Sequence, residues 1–251
     1  MRILIAAALG LAASPALAEN LRICVEGAYP PFSQINDQGQ LEGFDIDIAK
    51  ALCAEMGAAC DLVQTEWDAI IPTLEEGKCD AIIASMSITE ERKQRIDFSA
   101  KYQQTPPLFA AAAGVDWEAT PAGMAGKTVC VQRGTIHHSY MEGEFPGVNL
   151  VLYPTQDEVY LDLTSGRCDA IIADSVAIEE GFLNTPAGEG YAFFGPSQLN
   201  VKYHGEGAGV AVRKSDAALR DRFTAAIAAI RANGTYKAIN DQYFDFDLYG
   251  D

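Results

Sequence analysis

Positive charge is scarce in this chain. Its 251 residues carry 18 lysines and arginines against 35 aspartates and glutamates, a formal net charge of −17. Such a balance argues against nucleic acid and anionic membrane surfaces as partners, because both repel an acidic body. Long apolar runs are missing beyond the first 18 residues, so nothing there approaches the length of a membrane span. No Cys-x-x-Cys pair occurs, which removes the spacing of zinc ribbons and thioredoxin-like redox sites. No Gly-x-Ser-x-Gly occurs, so a nucleophile elbow has no support. Histidine is rare: of 3, His137 and His138 are adjacent and would point about 100° apart on a helix, a poor metal pair. The third, His204, falls on a connecting segment. Zinc, redox and nucleophilic hydrolase chemistry thus lack their residues, and no cofactor is expected.

The N-terminus reads as a secretory leader over residues 1–18. Met1-Arg2 is a short positive start, Ile3 to Ala13 an apolar run, and Ala16-Leu17-Ala18 a small-residue cleavage site. Glu19 rather than cysteine follows, so a soluble periplasmic product is expected rather than a lipid-anchored one. Export to an oxidising compartment makes disulfides the simplest use of the 6 cysteines. Cys53 and Cys60 flank a predicted helix end and suit a local bridge.

The chain is organised around Cys79-Asp-Ala-Ile-Ile-Ala-Ser-Met-Ser-Ile-Thr-Glu-Glu-Arg92. It predicts a buried strand, Asp80 to Ala84, then a loop with Ser85 and Ser87. A helix capped by Thr89 should follow, with Glu90 and Glu91 in its first turn. Ligands in open α/β sheets sit where a strand's carboxyl end meets the next helix. There the serines, backbone N–H groups and the planar fork of Arg92 could converge on a carboxylate. The plainer reading is a surface arginine beside an ordinary loop. Repetition favours the first: Ser165-Gly-Arg-Cys168-Asp-Ala-Ile-Ile-Ala-Asp174 matches Glu76-Gly-Lys-Cys79-Asp-Ala-Ile-Ile-Ala-Ser85 almost letter for letter. Lys127-Thr-Val-Cys130-Val likewise echoes Leu21-Arg-Ile-Cys24-Val, and the helix expected over Asp157 to Leu163 echoes one over Trp67 to Leu74, interrupted by Pro72. These repeats predict an α/β protein of two related lobes, each with a mainly parallel sheet. Two straps should join them: Gln103 to Leu108, with its Pro-Pro step, and Lys202 to Gly207. Past the second strap an orphan strand, Gly209 to Arg213, and two helices suggest return to the first lobe. The expected division is therefore 19–105 with 206–251 as lobe I and 106–205 as lobe II, with a ligand cleft between them.

Several motifs are specific: Glu26-Gly-Ala-Tyr-Pro-Pro-Phe32, Gly43-Phe-Asp-Ile-Asp47, Ser85-Met-Ser-Ile-Thr-Glu-Glu-Arg92, Asp97-Phe-Ser99 and Gly181-Phe-Leu183. Through them the chain, over essentially all of residues 19–251, resembles the periplasmic solute-binding proteins of amino-acid ABC importers, in the lysine, arginine, ornithine and histidine subgroup. The resemblance implies a two-lobed type II periplasmic binding protein fold joined by two hinge strands that close on ligand. It also implies a monomer that delivers a basic amino acid to a membrane permease. By the same likeness Arg92 clamps the ligand α-carboxylate, helped by Ser85, Ser87 and the backbone near Thr135. Asp174 takes the α-ammonium, Tyr29 and Trp67 sandwich the side-chain stem, and Glu26 meets the distal cation. Ala84, Gln132 and His137 complete the implied site.

Some positions depart from the family pattern. Ala84 stands where some members have serine, Glu26 where the lysine/arginine/ornithine and histidine proteins have aspartate, Ile136-His137 in place of a polar pair, and Arg133 in place of glutamine. Arginine and opine binders share the Glu-Gly-Ala/Ser-Tyr loop. Plainer roles stay open for each residue: Asp174 as a helix N-cap, Tyr29 and Trp67 as core aromatics, Glu26 as a solvated strand end. In the family fold Cys24 and Cys79, and likewise Cys130 and Cys168, fall on neighbouring strands. Two intralobe bridges are therefore expected beside Cys53–Cys60, the alternative being four buried thiols. Other functions on the same fold are an opine or polar amino-acid binder, an amino-acid sensor domain, and a cyclohexadienyl dehydratase-like enzyme using Asp174 or Glu26 as its acid.

Overall fold

The computed structural model describes residues 19–250, so the expected leader lies outside the described residues. The chain first forms β1 (Asn20–Val25), the small strands β2 (Ala28–Tyr29), β3 (Ser33–Ile35) and β4 (Leu41–Glu42), then α1 (Phe44–Glu55) and β5 (Ala59–Gln64). Next come α2 (Trp67–Glu75), β6 (Ala81–Ile82) and β7 (Ile96–Gln103). A second set follows: β8 (Pro107–Ala112), β9 (Thr128–Gln132), α3 (Ile136–Glu144), β10 (Asn149–Tyr153), α4 (Gln156–Thr164), β11 (Ala170–Asp174), α5 (Ser175–Ile178) and β12 (Tyr191–Phe194). The chain ends with α6 (Val201–His204), β13 (Ala208–Arg213), α7 (Ala217–Ala232) and α8 (Thr235–Tyr243).

Two five-stranded sheets result, ordered β5-β1-β6-β13-β7 and β10-β9-β11-β8-β12. The central pairings β1–β5, β1–β6, β9–β10 and β9–β11 are parallel. β13 is antiparallel to both its neighbours, and so is β8. Four strands of each sheet thus run one way and one runs against them. The reversed strand is in each case the one that enters from the other lobe. A chain crossing at the cleft arrives at the carboxyl ends of the parallel strands and can only run back down the sheet.

Both faces of each sheet are covered, so the inner strands β9, β11 and β13 are buried almost throughout, whereas the edge strands β5 and β10 are more exposed. In lobe I, α1, α7 and α8 pack on one face around Phe44, Leu52, Phe223 and Ile227, while α2 covers Ile82 and Ala84 on the other. Lobe II repeats this, with Phe109 and Phe145 on one side and Tyr160 and Phe182 on the other.

Four local expectations change. The strand expected from Asp80 shortens to Ala81–Ile82, and the helix expected after Thr89 is one 3-10 turn, Arg92–Gln94. Thr89 still caps, its Oγ1 accepting the Arg92 N–H at 3.2 Å. A longer helix has no room, because Ile88 donates its backbone N–H to Gly207 and β7 begins at Ile96. The second strap is not extended throughout: Val201–His204 forms a short helix before Gly205. Gly205, at φ 67°, brings the strap so close that a Cβ there would lie 1.9 Å from the Ile88 oxygen. α2 runs through Pro72 without interruption. The carbonyl deprived of its donor is that of Asp68, in the helix's exposed first turn.

All three expected disulfides form, each with Cα atoms 5.8 Å apart: Cys24–Cys79, Cys53–Cys60 and Cys130–Cys168. Cys24 stands opposite Ile82 and Cys130 opposite Ile171, so in both lobes the bridge reaches to the cysteine just before the third strand. Alkylation of unreduced, denatured protein should therefore label no cysteine by mass spectrometry, whereas four labelled cysteines would mean that only one bridge exists.

Candidate functional site

The carboxyl ends of both sheets meet at one cavity, with about 330 Å³ of empty space when the solvent at its mouth is included. It is lined by all eleven residues expected from sequence (Glu26, Tyr29, Trp67, Ala84, Ser85, Ser87, Arg92, Gln132, Thr135, His137 and Asp174), with Ile136 added. Each reaches it because it sits just past a strand or opens a helix. Glu26 follows β1, Tyr29 ends β2, Ala84 to Ser87 follow β6, Trp67 opens α2, Gln132 ends β9, Thr135 caps α3, and Asp174 ends β11.

Arg92 contributes the positive charge. One guanidinium nitrogen donates to the Ser87 carbonyl at 3.1 Å, and the group lies 5.3 Å from the Trp67 ring centroid, a cation–π arrangement. Among the described residues it forms no ion pair with a carboxylate. Burial pushes its pKa down to about 10, partly offset by the charges of Glu91 and Asp174, so it remains cationic at neutral pH. An unpaired buried cation is costly unless a ligand anion meets it. α3 adds to this. The first-turn amides at Ile136 and His137 have no intrahelical acceptor, and a helix N-terminus favours an anion. Thr135 itself is engaged, its Oγ1 donating to the Gln132 carbonyl and accepting from the His138 N–H.

Asp174 faces Arg92 from the other lobe. It occupies the N-cap position of α5, but its side chain makes no capping bond. Instead Oδ2 accepts from the Tyr29 hydroxyl at 2.8 Å across the cleft, and Oδ1 lies 3.7 Å from His137 Nε2. Burial alone would raise its pKa, but His137, Tyr29 and Thr105 outweigh that and hold it below the usual carboxylate range. Tyr29 is thus both core aromatic and site residue: its ring stacks on Phe32 and its hydroxyl spans the lobes.

Glu26 is 6% exposed, which removes the reading of a solvated strand end. Its Oε1 accepts from Gln132 Nε2 of the opposite lobe at 2.6 Å. Burial, aided by the charges of Asp157, Asp45 and Asp68 and opposed by the Gln132 bond, pushes its pKa up to about 7. Arg133 does not enter the cavity; it pairs with exposed Asp68 at the rim, linking the lobes outside the site.

Ser85 departs from its expected part in the carboxylate clamp. Its hydroxyl donates to Asp45 Oδ2 at 2.9 Å and its N–H to the Tyr102 hydroxyl at 2.8 Å, so both its protons are spent inside lobe I. Ser87 keeps its place beside Arg92. Sequence reading missed Ile136 in the wall and Asp45 and Tyr102 beneath it. Asp45 carried a signal, being a carboxylate next to Phe44 on the face that α1 buries.

Comparison with known proteins agrees with this geometry. The sequence profile of the bacterial extracellular solute-binding proteins, family 3, matches residues 21–246. The chain is 50% identical over 232 residues to an L-arginine-binding protein of Pseudomonas aeruginosa, covering 92% of this chain and 90% of that one. It is 42% identical over 238 residues to the lysine/arginine/ornithine-binding periplasmic protein of Escherichia coli, covering 94% and 92%. A solved periplasmic binding protein of Salmonella typhimurium, described as highly specific for arginine, superposes with a TM-score of 0.83 at 30% identity, over 90% of this chain and 100% of that one. The chain belongs to family 3 of the bacterial extracellular solute-binding proteins.

Proposed function

We propose that this protein binds a basic amino acid (arginine, ornithine or lysine, with histidine next) in the periplasm and presents it to the permease of an ABC importer. The observation that carries this reading is the charge set of one cavity. Arg92, with no carboxylate partner among the described residues, comes from one lobe, Asp174 from the other, and the buried carboxyl Glu26 stands with them. A zwitterion with a cationic tip complements that set: carboxylate to Arg92 and the α3 amides, ammonium to Asp174, side-chain cation to Glu26. Tyr29 and Trp67 flank the stem. Glutamate's side chain would oppose Glu26, and leucine's tip would leave the buried Glu26 carboxyl without a cation. Kinship with proteins named for arginine and for lysine, arginine and ornithine supports the same class.

The rest of the proposal follows from the strapped lobes. Residues 1–18 act as a cleaved leader, residues 19–105 with 206–251 form lobe I, and 106–205 form lobe II. The protein works as a monomer, without cofactor and without catalysis. Only the closed arrangement engages Arg92 and Asp174 together, so ligand draws the lobes shut and the closed face is what the permease meets.

A calorimetric panel on ligand-stripped protein tests the class: arginine, ornithine or lysine should bind, and glutamate and leucine should not. A panel in which none of the cationic amino acids binds refutes it. Glu26→Gln keeps size and an acceptor but removes the charge, so arginine affinity should fall by ~1.5–3 kcal/mol while glutamine binding holds or rises. Arg92→Ala leaves the ligand carboxylate buried without its cation, a loss of ~2–5 kcal/mol in the same titration.

Glu26 also predicts a pH dependence for the ligand-free fold. Its pKa rises from 4.5 to about 7 on folding, so the fold retains a proton that the unfolded chain releases in between. Stability from this group is full below about pH 4.5 and is lost as pH rises through about 7. Urea unfolding should find Glu26→Gln equal to the parent near pH 4 and more stable than it by up to ~3 kcal/mol at pH 8. A difference that stays flat with pH would mean that Glu26 is not buried as a neutral acid.

A further inference from the structure

Beneath the cavity floor lies a closed ring of hydrogen bonds. Ser85 N–H donates to the Tyr102 hydroxyl at 2.8 Å, and that hydroxyl donates to Asp45 Oδ1 at 2.8 Å. Asp45 Oδ2 in turn accepts from Ser85 Oγ at 2.9 Å. Asp45 is 1% exposed and Tyr102 0% exposed, and neither lines the cavity, whereas Ser85 does.

Two features of Ser85 call for such a ring. Its φ is 49°, the only positive value at a non-glycine residue among the described residues. That conformation disfavours an L side chain and persists only where surroundings enforce it. The second feature concerns protons. Burial pushes the Asp45 pKa up to about 7; above that value its carboxylate only accepts, so with Tyr102 filling Oδ1 and Ser85 filling Oδ2 the serine proton points into Asp45. What the Ser85 oxygen can then offer the cavity is a lone pair. A hydroxyl, which elsewhere could serve a carboxylate or an ammonium, is here restricted to an acceptor.

We propose that Asp45 and Tyr102 are positioning residues that hold Ser85 in its left-handed turn with its hydroxyl proton turned away from the ligand, so that the floor presents an acceptor to the ligand's α-ammonium beside Asp174. This rests on the amino-acid reading above and extends it to two residues that never touch the ligand. The ring assigns the polarity of one wall: the cation side is read by Asp174 and Ser85, and the anion side by Arg92 and the α3 amides. It also gives Asp45 a use that its place on a buried helix face does not explain, since an apolar residue would pack there at less cost.

Asp45→Asn is nearly isosteric but cannot accept from both hydroxyls. Its amide must donate to one of them, which breaks the ring; where it donates to Ser85 Oγ, the serine proton turns toward the cavity. Ser85→Gly takes the left-handed turn without a clamp and has no hydroxyl to orient. Arginine binding is measured by calorimetry for the parent, each single variant and the double variant, with the circular dichroism of each recorded. Asp45→Asn should weaken arginine at least tenfold in the parent background and less than threefold in the Ser85→Gly background. Equal losses in both backgrounds would show Asp45 acting through the fold alone and would overturn the proposal, as would unchanged binding in Asp45→Asn. If Asp45→Asn does not fold, Tyr102→Phe, which deletes only a hydroxyl, replaces it in the same cycle with the same expectation. A parent that binds arginine with no coupling in the cycle refutes this inference alone. A parent that binds no amino acid refutes the function on which it rests, and the inference falls with it.

Discussion

The cost of burying charge governs this molecule. Arg92, Asp174 and Glu26 are withdrawn from water into one small cavity, and desolvation works against the ionised form of each. The three are compensated differently. Asp174 is surrounded by donors and kept anionic. Glu26 has one donor and three like charges nearby and is pushed toward neutrality. Arg92 has a carbonyl and an aromatic face but, among the described residues, no counter-ion. A site left in that condition favours a ligand that brings an anion for the arginine and a cation for the glutamate.

The fold supplies these groups from two directions because each sheet ends at the cleft. Parallel strands bring their carboxyl ends together, and the loops beyond them are free to carry polar side chains. The single reversed strand in each sheet is the consequence of crossing between lobes at that end. The same geometry places the straps against the floor of the site: Gly205 to Gly209 pack on Met86 to Ile88, within the segment that carries Ser87 toward Arg92. Movement of the lobes about the straps would therefore be felt directly at the loop that reads the ligand's backbone.

Polar and apolar contacts both join the lobes. Tyr29 reaches Asp174, Glu26 reaches Gln132, and Arg133 reaches Asp68. Val176 and Ala177 of lobe II pack into the apolar cluster of lobe I that holds Tyr29. The disulfides add nothing to this junction, because every one lies within a lobe.

By itself the sequence determined the two-lobed α/β plan and the local Cys53–Cys60 bridge, through apolar runs, cysteine placement and a strand-to-loop motif used twice. The two intralobe bridges and eleven of the cavity's residues came as implications of the family resemblance. A strand's end is local information, and the family resemblance attached a role to what lies there. Tertiary structure alone decided which way protons point and which groups lose their water. Ser85 looks like any serine of a βα loop until Asp45 and Tyr102, 40 and 57 residues apart from their partners, close around it. The helix expected after Thr89 fails for a similar reason, since the returning strap occupies the space, and nothing between Thr89 and Ile96 announces that. Long-range burial and hydrogen-bond direction depend on residues distant in the chain, and no local pattern encodes them.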